Sequence, residues 1–153
     1  MMTPLNLPSF EHKISGEGDK LFIFDPIRKK KVALTPEEWV RQNFLRYLVE
    51  IKAYPASRIA IEFALDLNGL SKRCDIVYFN AAGLPVLLVE CKAPEVRVSQ
   101  DTFDQITVYN MRMKVPFLIL TNGLTHYSVQ INEKDTGYQF LTEVPGPLIM
   151  EKT

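Results

Sequence analysis

Two kinds of segment alternate along this chain. Two segments, over about residues 35–53 and 99–113, begin with capping residues and predict helices. Short runs rich in β-branched and aromatic residues, bounded by Gly, Pro, Asn or Asp, predict strands. These runs occupy residues 21–24, 59–65, 117–120, 126–131 and 138–141, and two more lie within residues 73–92. The order from residue 35 onwards is helix, three strands, helix, strand and a final strand pair.

Residues 73–92 predict an antiparallel hairpin, because two β-rich runs flank a turn that contains Gly83 and Pro85. With residues 80–85 as the loop, Phe79 lies opposite Val86. The apolar run that ends before Glu90 has almost no polar alternation, which is typical of a strand buried on both faces. We therefore expect this hairpin to lie at the centre of the sheet.

The same register places charged side chains together on one face of the hairpin. Asp75 lies opposite Glu90, and Lys92 projects on the side of Glu90 because side chains alternate along a strand. Opposed Cβ atoms are roughly 5 Å apart and like charges there are destabilising, so we expect a cation between the two acids. A slip of one residue would separate the acids. An ordinary ion pair between Glu90 and Lys92 at a strand end is the alternative interpretation.

The first helix has a strong start signal. Thr35 can cap it, Pro36 suits its first position, and Glu38 stands three residues after Thr35 as in a capping box. We expect this helix to run to about Ala53 and to be buried on two faces. One face carries Val40, Phe44, Tyr47 and Ile51, and the other carries Glu38, Leu45 and Val49. The spacing leaves open whether Glu38 points inward or towards solvent.

The second helix connects two strands of one sheet. Ser99 is its expected cap, and Gln105 and Tyr109 are neighbours on one helical face. A strand, a crossover helix and a further strand form a βαβ unit, so the strands ending near Lys92 and starting near residue 117 should be parallel. The chain is therefore predicted to be an α/β protein with a mixed central β-sheet flanked by helices.

The chain ends and one charged run complete the pattern. Residues 1–19 and the Pro-containing tail predict an irregular arm and an irregular tail around a single domain of 153 residues, with its core at about 35–131. Residues 28–31 are basic. This run can either contact phosphates or form a solvated hairpin edge that discourages strand addition.

Composition narrows the class of protein. The chain has 46% hydrophobic and 24% charged residues and a formal net charge of zero, which suits a soluble globular domain and argues against a strong stand-alone nucleic-acid binder. Without a secretory signal or an apolar stretch of membrane-spanning length, a cytoplasmic location and no membrane contact are expected. Cys74 and Cys91 would be opposed on the other face of the hairpin, where reduced thiols are favoured over a disulfide.

These elements together resemble a known nuclease fold. Asp75 on one strand, followed by Glu90-Cys91-Lys92 on the next, resembles the PD-(D/E)XK pattern, with Cys74 where the pattern has proline. Residues 90–94, with the sequence ECKAP, are similar to a segment of the N-terminal nuclease domain of type I restriction-enzyme R subunits. Residues 105–109 fit the Q-X-X-X-Y motif of the RecB-like branch, to which those subunits belong. The resemblance implies a restriction-endonuclease-like core over roughly residues 35–131.

The resemblance also implies roles for individual residues. The catalytic residues would be Asp75, Glu90 and Lys92, and Gln105 and Tyr109 would support the site or contact the DNA backbone; packing of that helix face on the sheet is their alternative role. Mg²⁺, for which Mn²⁺ can substitute, would be bound by oxygen ligands. Its expected ligands are Asp75, Glu90 and the backbone carbonyl of Cys91, with Glu38 as a further candidate.

Two functions from different classes follow. The first is a metal-dependent DNA endonuclease domain of the type I restriction R-subunit type, acting alone or only with helicase, methylase or specificity subunits. The second is a non-catalytic descendant of the fold that binds nucleic acid or a partner protein. Occupied motif positions favour the first. The neutral charge and the lack of a helicase motor in this sequence favour the second.

Overall fold

The computed structural model describes residues 2–132 and 137–152, and its strands form a small sheet and a large one. The small sheet is antiparallel and contains β1 (Ile14–Glu17), β2 (Lys20–Asp25) and β3 (Lys30–Ala33). Its first strand lies within the arm that was predicted to be irregular. The prediction missed it because β1 is mostly exposed and is ordered by pairing with β2.

The large sheet has six strands in sequence order and is the centre of the fold. Strands β6 and β7 are parallel, and the remaining four pairs of neighbouring strands are antiparallel. This arrangement confirms the predicted mixed sheet. Its strands are β4 (Ile59–Leu67), β5 (Leu70–Phe79), β6 (Pro85–Cys91), β7 (Phe117–Thr121), β8 (His126–Ile131) and β9 (Tyr138–Phe140).

The register of the central hairpin agrees with the sequence over most of its length. Pairing runs from Ile76 with Val89 to Tyr78 with Leu87, as predicted. At the turn, Phe79 pairs with Pro85. The predicted pairing with Val86 is wrong, because an irregularity between Tyr78 and Phe79 shifts the last pair by one residue.

Both helices begin at the predicted caps. The Oγ1 atom of Thr35 accepts a hydrogen bond from the Glu38 N–H (3.1 Å) at the start of α1 (Pro36–Arg46). The last part of the predicted helix is a π-helical turn (Tyr47–Ile51). The second helix, α2 (Gln100–Met113), is capped by Ser99 and has the predicted bounds.

The helices cover opposite faces of the large sheet. Val40 and Phe44 of α1 pack with Ile76 in one buried cluster, whereas Phe103 and Met113 of α2 belong to a second one. This two-sided burial explains why the central strands are continuously apolar. No helix in the described part of the chain is long and apolar enough to cross a membrane.

Side-chain alternation is interrupted in the strands next to the hairpin end. The pairing of β4 with β5 skips Glu62 and Asp75, and Glu62 has a left-handed backbone (φ 52°). As a consequence Cys74 lies in the cluster on the α2 side, while Cys91 lies in the cluster on the α1 side. The expectation that the two cysteines are opposed on one face is therefore wrong, and both are buried free thiols.

The N-terminal arm crosses the end of the large sheet near the β7–β8 turn. The Asn6 N–H donates to the Gly123 carbonyl oxygen (2.8 Å), and the indole N–H of Trp39 donates to the Thr3 carbonyl oxygen (2.9 Å). At the other end of the chain, the tail that was predicted to be irregular contains a 3₁₀-helical segment (Pro147–Lys152). Met150 of this segment is buried, so packing orders a stretch whose sequence lacks a helical pattern.

The close approach of the arm at Gly123 gives a testable prediction. Gly123 (φ 85°) has no room for a Cβ atom, which would lie 2.6 Å from Leu5 Cδ2 and 3.2 Å from Val40 Cγ2. Gly123→Ala should therefore lower the free energy of unfolding by about 2–5 kcal/mol, of which ~1–2 is left-handed strain and ~1–3 is overpacking. Thermal or urea denaturation measures this loss.

Gly83 provides the matched control. Its backbone is similar (φ 81°), but an added Cβ atom would have no neighbour within 4 Å. Gly83→Ala should therefore cost only about 1–2 kcal/mol, the strain alone. Equal losses in the two variants would show that the packing of the arm against Gly123 does not contribute to stability.

Candidate functional site

Asp75 lies where β5 and β6 stop pairing. Beyond the pair formed by Ile76 and Val89, the Oδ2 atom of Asp75 accepts a hydrogen bond from the Cys91 N–H (2.8 Å). Its Oδ1 atom accepts a hydrogen bond from Arg41 Nη2 (2.7 Å). The Asp75 side chain thus fixes the end of β6 to α1.

Arg41 is a buried cation surrounded by acids. Its guanidinium donates to Glu38 Oε1 (2.5 Å) and Glu62 Oε1 (2.6 Å) in addition to Asp75. Burial by itself lowers the pKa of Arg41, but the hydrogen bond to Asp75 and the charges of Glu38 and Asp75 outweigh it, so the pKa is raised above its ordinary value. Arg41 is therefore a permanent positive charge inside the fold.

Glu38 connects this group to the small sheet. Its carboxylate accepts hydrogen bonds from Arg28 Nη2 (2.9 and 3.0 Å) and from Gln42 Nε2 (3.0 Å) as well as from Arg41. Arg28 also pairs with Asp25 (2.6 Å). Glu38 is buried, so of the two orientations left open by the sequence the inward one is present. Cations already contact both of its oxygens, and its role as a metal ligand stays a prediction.

Glu90 is the second acid of the site. It is 8% exposed, and Lys72 Nζ lies 2.5 Å from its Oε1 atom. No donor among the described residues makes a well-directed hydrogen bond to that oxygen. Burial raises the pKa of Glu90; the charge of Lys72 lowers it, and the charge of Asp75 raises it further.

Lys72 is held in place by the second helix. Its ammonium group lies over the ring of Tyr109 (5.5 Å to the centroid), and the Tyr109 hydroxyl donates to the Ser71 carbonyl oxygen (2.7 Å). Tyr109 thus anchors the strand segment and the cation that faces Glu90. The supporting role that the Q-X-X-X-Y resemblance implied for Tyr109 stays a prediction.

Lys92 and Gln105 make fewer contacts. The Lys92 backbone N–H donates to the Thr121 carbonyl oxygen (2.8 Å), which extends the β6–β7 pairing. Burial raises the pKa of both Glu37 and Glu90, and the charge of Lys92 offsets part of this rise. Within the described part of the chain its ammonium group forms no ion pair. Gln105 is exposed on α2, one turn before Tyr109, and the described residues form no hydrogen bond with its side chain.

The two acids are neutralised from different sides of the sheet. Asp75 contacts Arg41 of α1, whereas Glu90 contacts Lys72, which lies over Tyr109 of α2. The register had predicted one shared face with a cation between the acids. The break in alternation at Asp75 accounts for the difference, because it turns this side chain towards α1 while Glu90 follows Leu88 towards α2.

The oxygen atoms around Asp75 and Glu90 are of the type that binds a hard divalent ion, but they do not form a complete set of ligands. Two carboxylates and the adjacent carbonyl of Cys91 are the oxygen ligands that Mg²⁺ takes. Among the described residues, no group of three or more His, Cys, Asp or Glu side chains is arranged to bind a metal. An ion at Asp75 and Glu90 would therefore depend on main-chain or water ligands, and it would share its two carboxylates with Arg41 and Lys72.

Two cations of the site, Arg41 and Lys72, were not among the predicted site residues. Arg41 had a detectable signal, since it lies three residues after Glu38 and four before Leu45 on the second buried face of α1. Lys72 had no such signal. Its pairing with Glu90 depends on how β5 lies against β6 and on the position of Tyr109, which is distant in sequence.

Comparisons with known proteins place the chain in a family. The family model for the type I restriction enzyme R protein N terminus (HSDR_N) matches residues 36–145. Comparison with the curated proteins gives no match.

Two solved structures are similar. One is a fragment of a protein assigned as an HsdR subunit of a type I restriction enzyme from Vibrio vulnificus YJ016, with 21% identity, a TM-score of 0.49, and coverage of 73% of this chain and 24% of that one. The other, assigned as a nuclease of the DUF820 group from Anabaena variabilis ATCC 29413, has 12% identity, a TM-score of 0.48, and coverage of 85% and 83%. This chain thus spans 24% of the length of the first structure.

The pairing of Lys72 with Glu90 can be tested by stability. Lys72→Met should lower the free energy of unfolding by about 1–3 kcal/mol, because a buried carboxylate is left without its partner. The same change in a Glu90→Gln background should cost much less. Urea denaturation of the wild type, the two single variants and the double variant gives the coupling energy. Equal losses in the two backgrounds would mean that Lys72 does not stabilise Glu90.

Glu90 should also make stability depend on pH. Its pKa is raised above the ordinary value of 4.5, chiefly by burial, so the folded state binds this proton more tightly than the unfolded state does. The stability that protonated Glu90 contributes is therefore fully present below pH 4.5, the pKa in the unfolded state, and is lost as the pH rises through the higher pKa of the folded state. Denaturation at a series of pH values from 4.5 upwards should show the stability of Glu90→Gln rising relative to that of the wild type. A constant difference between the two proteins would contradict the assignment.

Proposed function

Because the chain belongs to the family of type I restriction enzyme R protein N termini, we propose that it is a metal-dependent DNA endonuclease domain of the R-subunit type. The observation that carries the proposal is the position of three motif residues around the end of β6. The Asp75 carboxylate accepts the Cys91 N–H (2.8 Å), buried Glu90 directly precedes Cys91 in β6, and Lys92 directly follows it.

The proposed reaction is hydrolysis of a phosphodiester bond. Water attacks phosphorus, one P–O bond breaks, and the departing oxygen takes up a proton. A bound Mg²⁺ or Mn²⁺ would lower the pKa of the attacking water and stabilise charge on the departing oxygen. Asp75, Glu90 and the Cys91 carbonyl would hold this ion, and Lys92 would orient the water or stabilise charge at the phosphoryl group.

The contacts around the acids support this assignment. Arg41 and the Cys91 N–H orient the Asp75 carboxylate, and Lys72 orients that of Glu90 while Tyr109 holds Lys72 in place. Such supporting contacts are what a precise catalytic geometry requires. Glu38 and Gln105 are assigned secondary roles, the first in supporting Arg41 and the second in contacting DNA from the exposed face of α2.

A second candidate function is favoured by the neutralisation of both acids. Arg41 and Lys72 each occupy a carboxylate that a metal would need, and Asp75 and Glu90 turn towards different helices. A non-catalytic descendant of the nuclease fold, which binds nucleic acid or a partner protein, would retain such an arrangement. The metal-dependent measurements described below distinguish the two functions.

The proposed context is a restriction system. The family to which the chain belongs is that of type I restriction enzyme R protein N termini. The proposed partners are therefore DNA and the helicase, methylase or specificity subunits of such a system, and the proposed location is the cytoplasm. Whether the domain cleaves alone or only with these subunits is decided by assaying it with and without them.

Metal binding and cleavage can be separated by mutation. For an affinity near ~1 mM, about 10 mM Mg²⁺ should stabilise the wild type by about 1.4 kcal/mol, a rise of a few degrees in Tm. Asp75→Asn and Glu90→Gln should lose most of this rise, because each lacks a ligand. Lys92→Met should keep the rise and still lose cleavage of duplex DNA. The measurements are thermal melts with and without Mg²⁺ and a plasmid-nicking assay.

The outcomes separate the two functions. An equal Mg²⁺ response in the wild type, Asp75→Asn and Glu90→Gln would place any metal site elsewhere. Cleavage by Asp75→Asn at the wild-type rate would contradict its catalytic role. DNA or protein binding without any metal response or cleavage would support the non-catalytic alternative.

A further inference from the structure

The basic run at residues 28–31 is divided between two roles. Arg28 is directed into the protein, where it pairs with Asp25 (2.6 Å) and Glu38 (2.9 Å). The three lysines that follow, Lys29, Lys30 and Lys31, are exposed. The sequence alone could not separate these roles, because all four residues carry the same charge. We name the three lysines the basic edge.

The basic edge is attached firmly to the rest of the protein. The Oδ1 atom of Asp25 accepts hydrogen bonds from the backbone N–H groups of Ile27 (2.8 Å) and Arg28 (2.9 Å), which shapes the turn before β3. The Arg28 guanidinium then links this turn to Glu38 at the start of α1. The lysines are therefore carried by a fixed turn and strand.

The charges of the basic edge are not used inside the described structure. None of the three ammonium groups forms an ion pair with an acid among the described residues. The nearest acid in the pairing scheme, Asp25 opposite Lys30, is buried and already neutralised by Arg28. Lys31 pairs with Phe24, over whose ring the Lys13 ammonium lies at 5.6 Å. A further positive charge thus adjoins the basic edge.

The strand that carries the basic edge leads to the candidate site. The next residues of β3, Val32 and Ala33, line a cleft together with Arg41, Glu62 and Ala93. Ala93 follows Lys92 directly. The basic edge therefore adjoins, through Val32, the cleft that contains Arg41, the partner of Asp75. Glu37 and Glu95 also line this cleft, so its interior is acidic and attraction for a polyanion has to come from the rim.

We propose that the basic edge is the surface on which the phosphate backbone of duplex DNA docks. The proposal rests on the proposed function and adds to it the place where the substrate is held. Charge complementarity selects this occupant, since a net-neutral chain presents three adjacent cations that form no ion pair with the described residues, next to the cleft that contains Arg41. Each phosphate neutralised by a lysine releases counterions, so the slope of log K against log salt is proportional to the number of lysine–phosphate contacts.

The competing explanation is protection of a strand edge. β3 is the outer strand of the small sheet, and lysines on an outer strand prevent pairing with another chain. This explanation predicts that loss of the lysines causes self-association. The docking proposal predicts loss of DNA affinity in a protein that remains monomeric.

The experiment compares two double variants of equal charge. Lys29→Gln/Lys31→Gln removes two cations of the basic edge. Lys114→Gln/Lys152→Gln removes two exposed cations from the opposite end of the large sheet, where α2 ends and where Glu151 contacts the β5–β6 turn. Binding of a fluorescent duplex is measured over a range of salt concentrations, with a chelator present so that cleavage cannot interfere. Sedimentation gives the oligomeric state.

The expected result is a change in salt dependence for the first variant only. The slope of log K against log salt should fall in magnitude by about 1.8, which is ~0.9 for each of two phosphate contacts. The slope of the control variant should stay within about 0.3 of wild type. Equal slopes in both variants, no DNA binding by the wild type, or self-association of the first variant with unchanged DNA affinity would each overturn the proposal.

These outcomes are independent of catalysis. If the slope changes as expected but the wild type shows no cleavage or metal response, the docking surface stands and the nuclease proposal fails. If the wild type cleaves DNA and the slope does not change, the nuclease proposal stands and DNA docks elsewhere.

Discussion

Arg41 is a buried guanidinium whose charge must be neutralised inside the protein, and the arrangement of the site follows from this requirement. An isolated charge in the interior is strongly destabilising, whereas one that makes several well-formed hydrogen bonds to acids is tolerated. Glu38, Glu62 and Asp75 supply those bonds from three different elements. One cation thus fixes α1, β4 and β5 relative to one another and sets the orientation of Asp75.

Glu90 follows the same principle on the other side of the sheet. Its cation, Lys72, comes from the neighbouring strand and is held by the ring of Tyr109. Each acid of the candidate site is therefore backed by a cation, and each cation by a further contact.

Local rules predicted much of the fold from particular residues. Thr35 and Ser99 marked the two helix starts because a side-chain oxygen there satisfies a free backbone N–H. The pairing of Ile76 with Val89 followed from the turn and from strand periodicity. The parallel crossover from β6 to β7 followed from an intervening helix. Strand β1 was not predicted, because it is ordered by pairing with β2 and its own residues do not indicate that pairing.

The sequence by itself determined the types and order of most elements, the two-sided burial of the central strands and the acids most suited to a site, since these depend on residues close together in the chain. Only the tertiary structure decided that Glu38 points inward, that Arg28 separates from its lysines, and that Asp75 pairs with Arg41 of α1 while Glu90 pairs with Lys72 of β5. Those outcomes depend on ion pairs between distant segments and on the interrupted alternation at Glu62. Such pairs form only where packing has brought the charges within a few ångströms, and a periodic pattern carries no information about that distance.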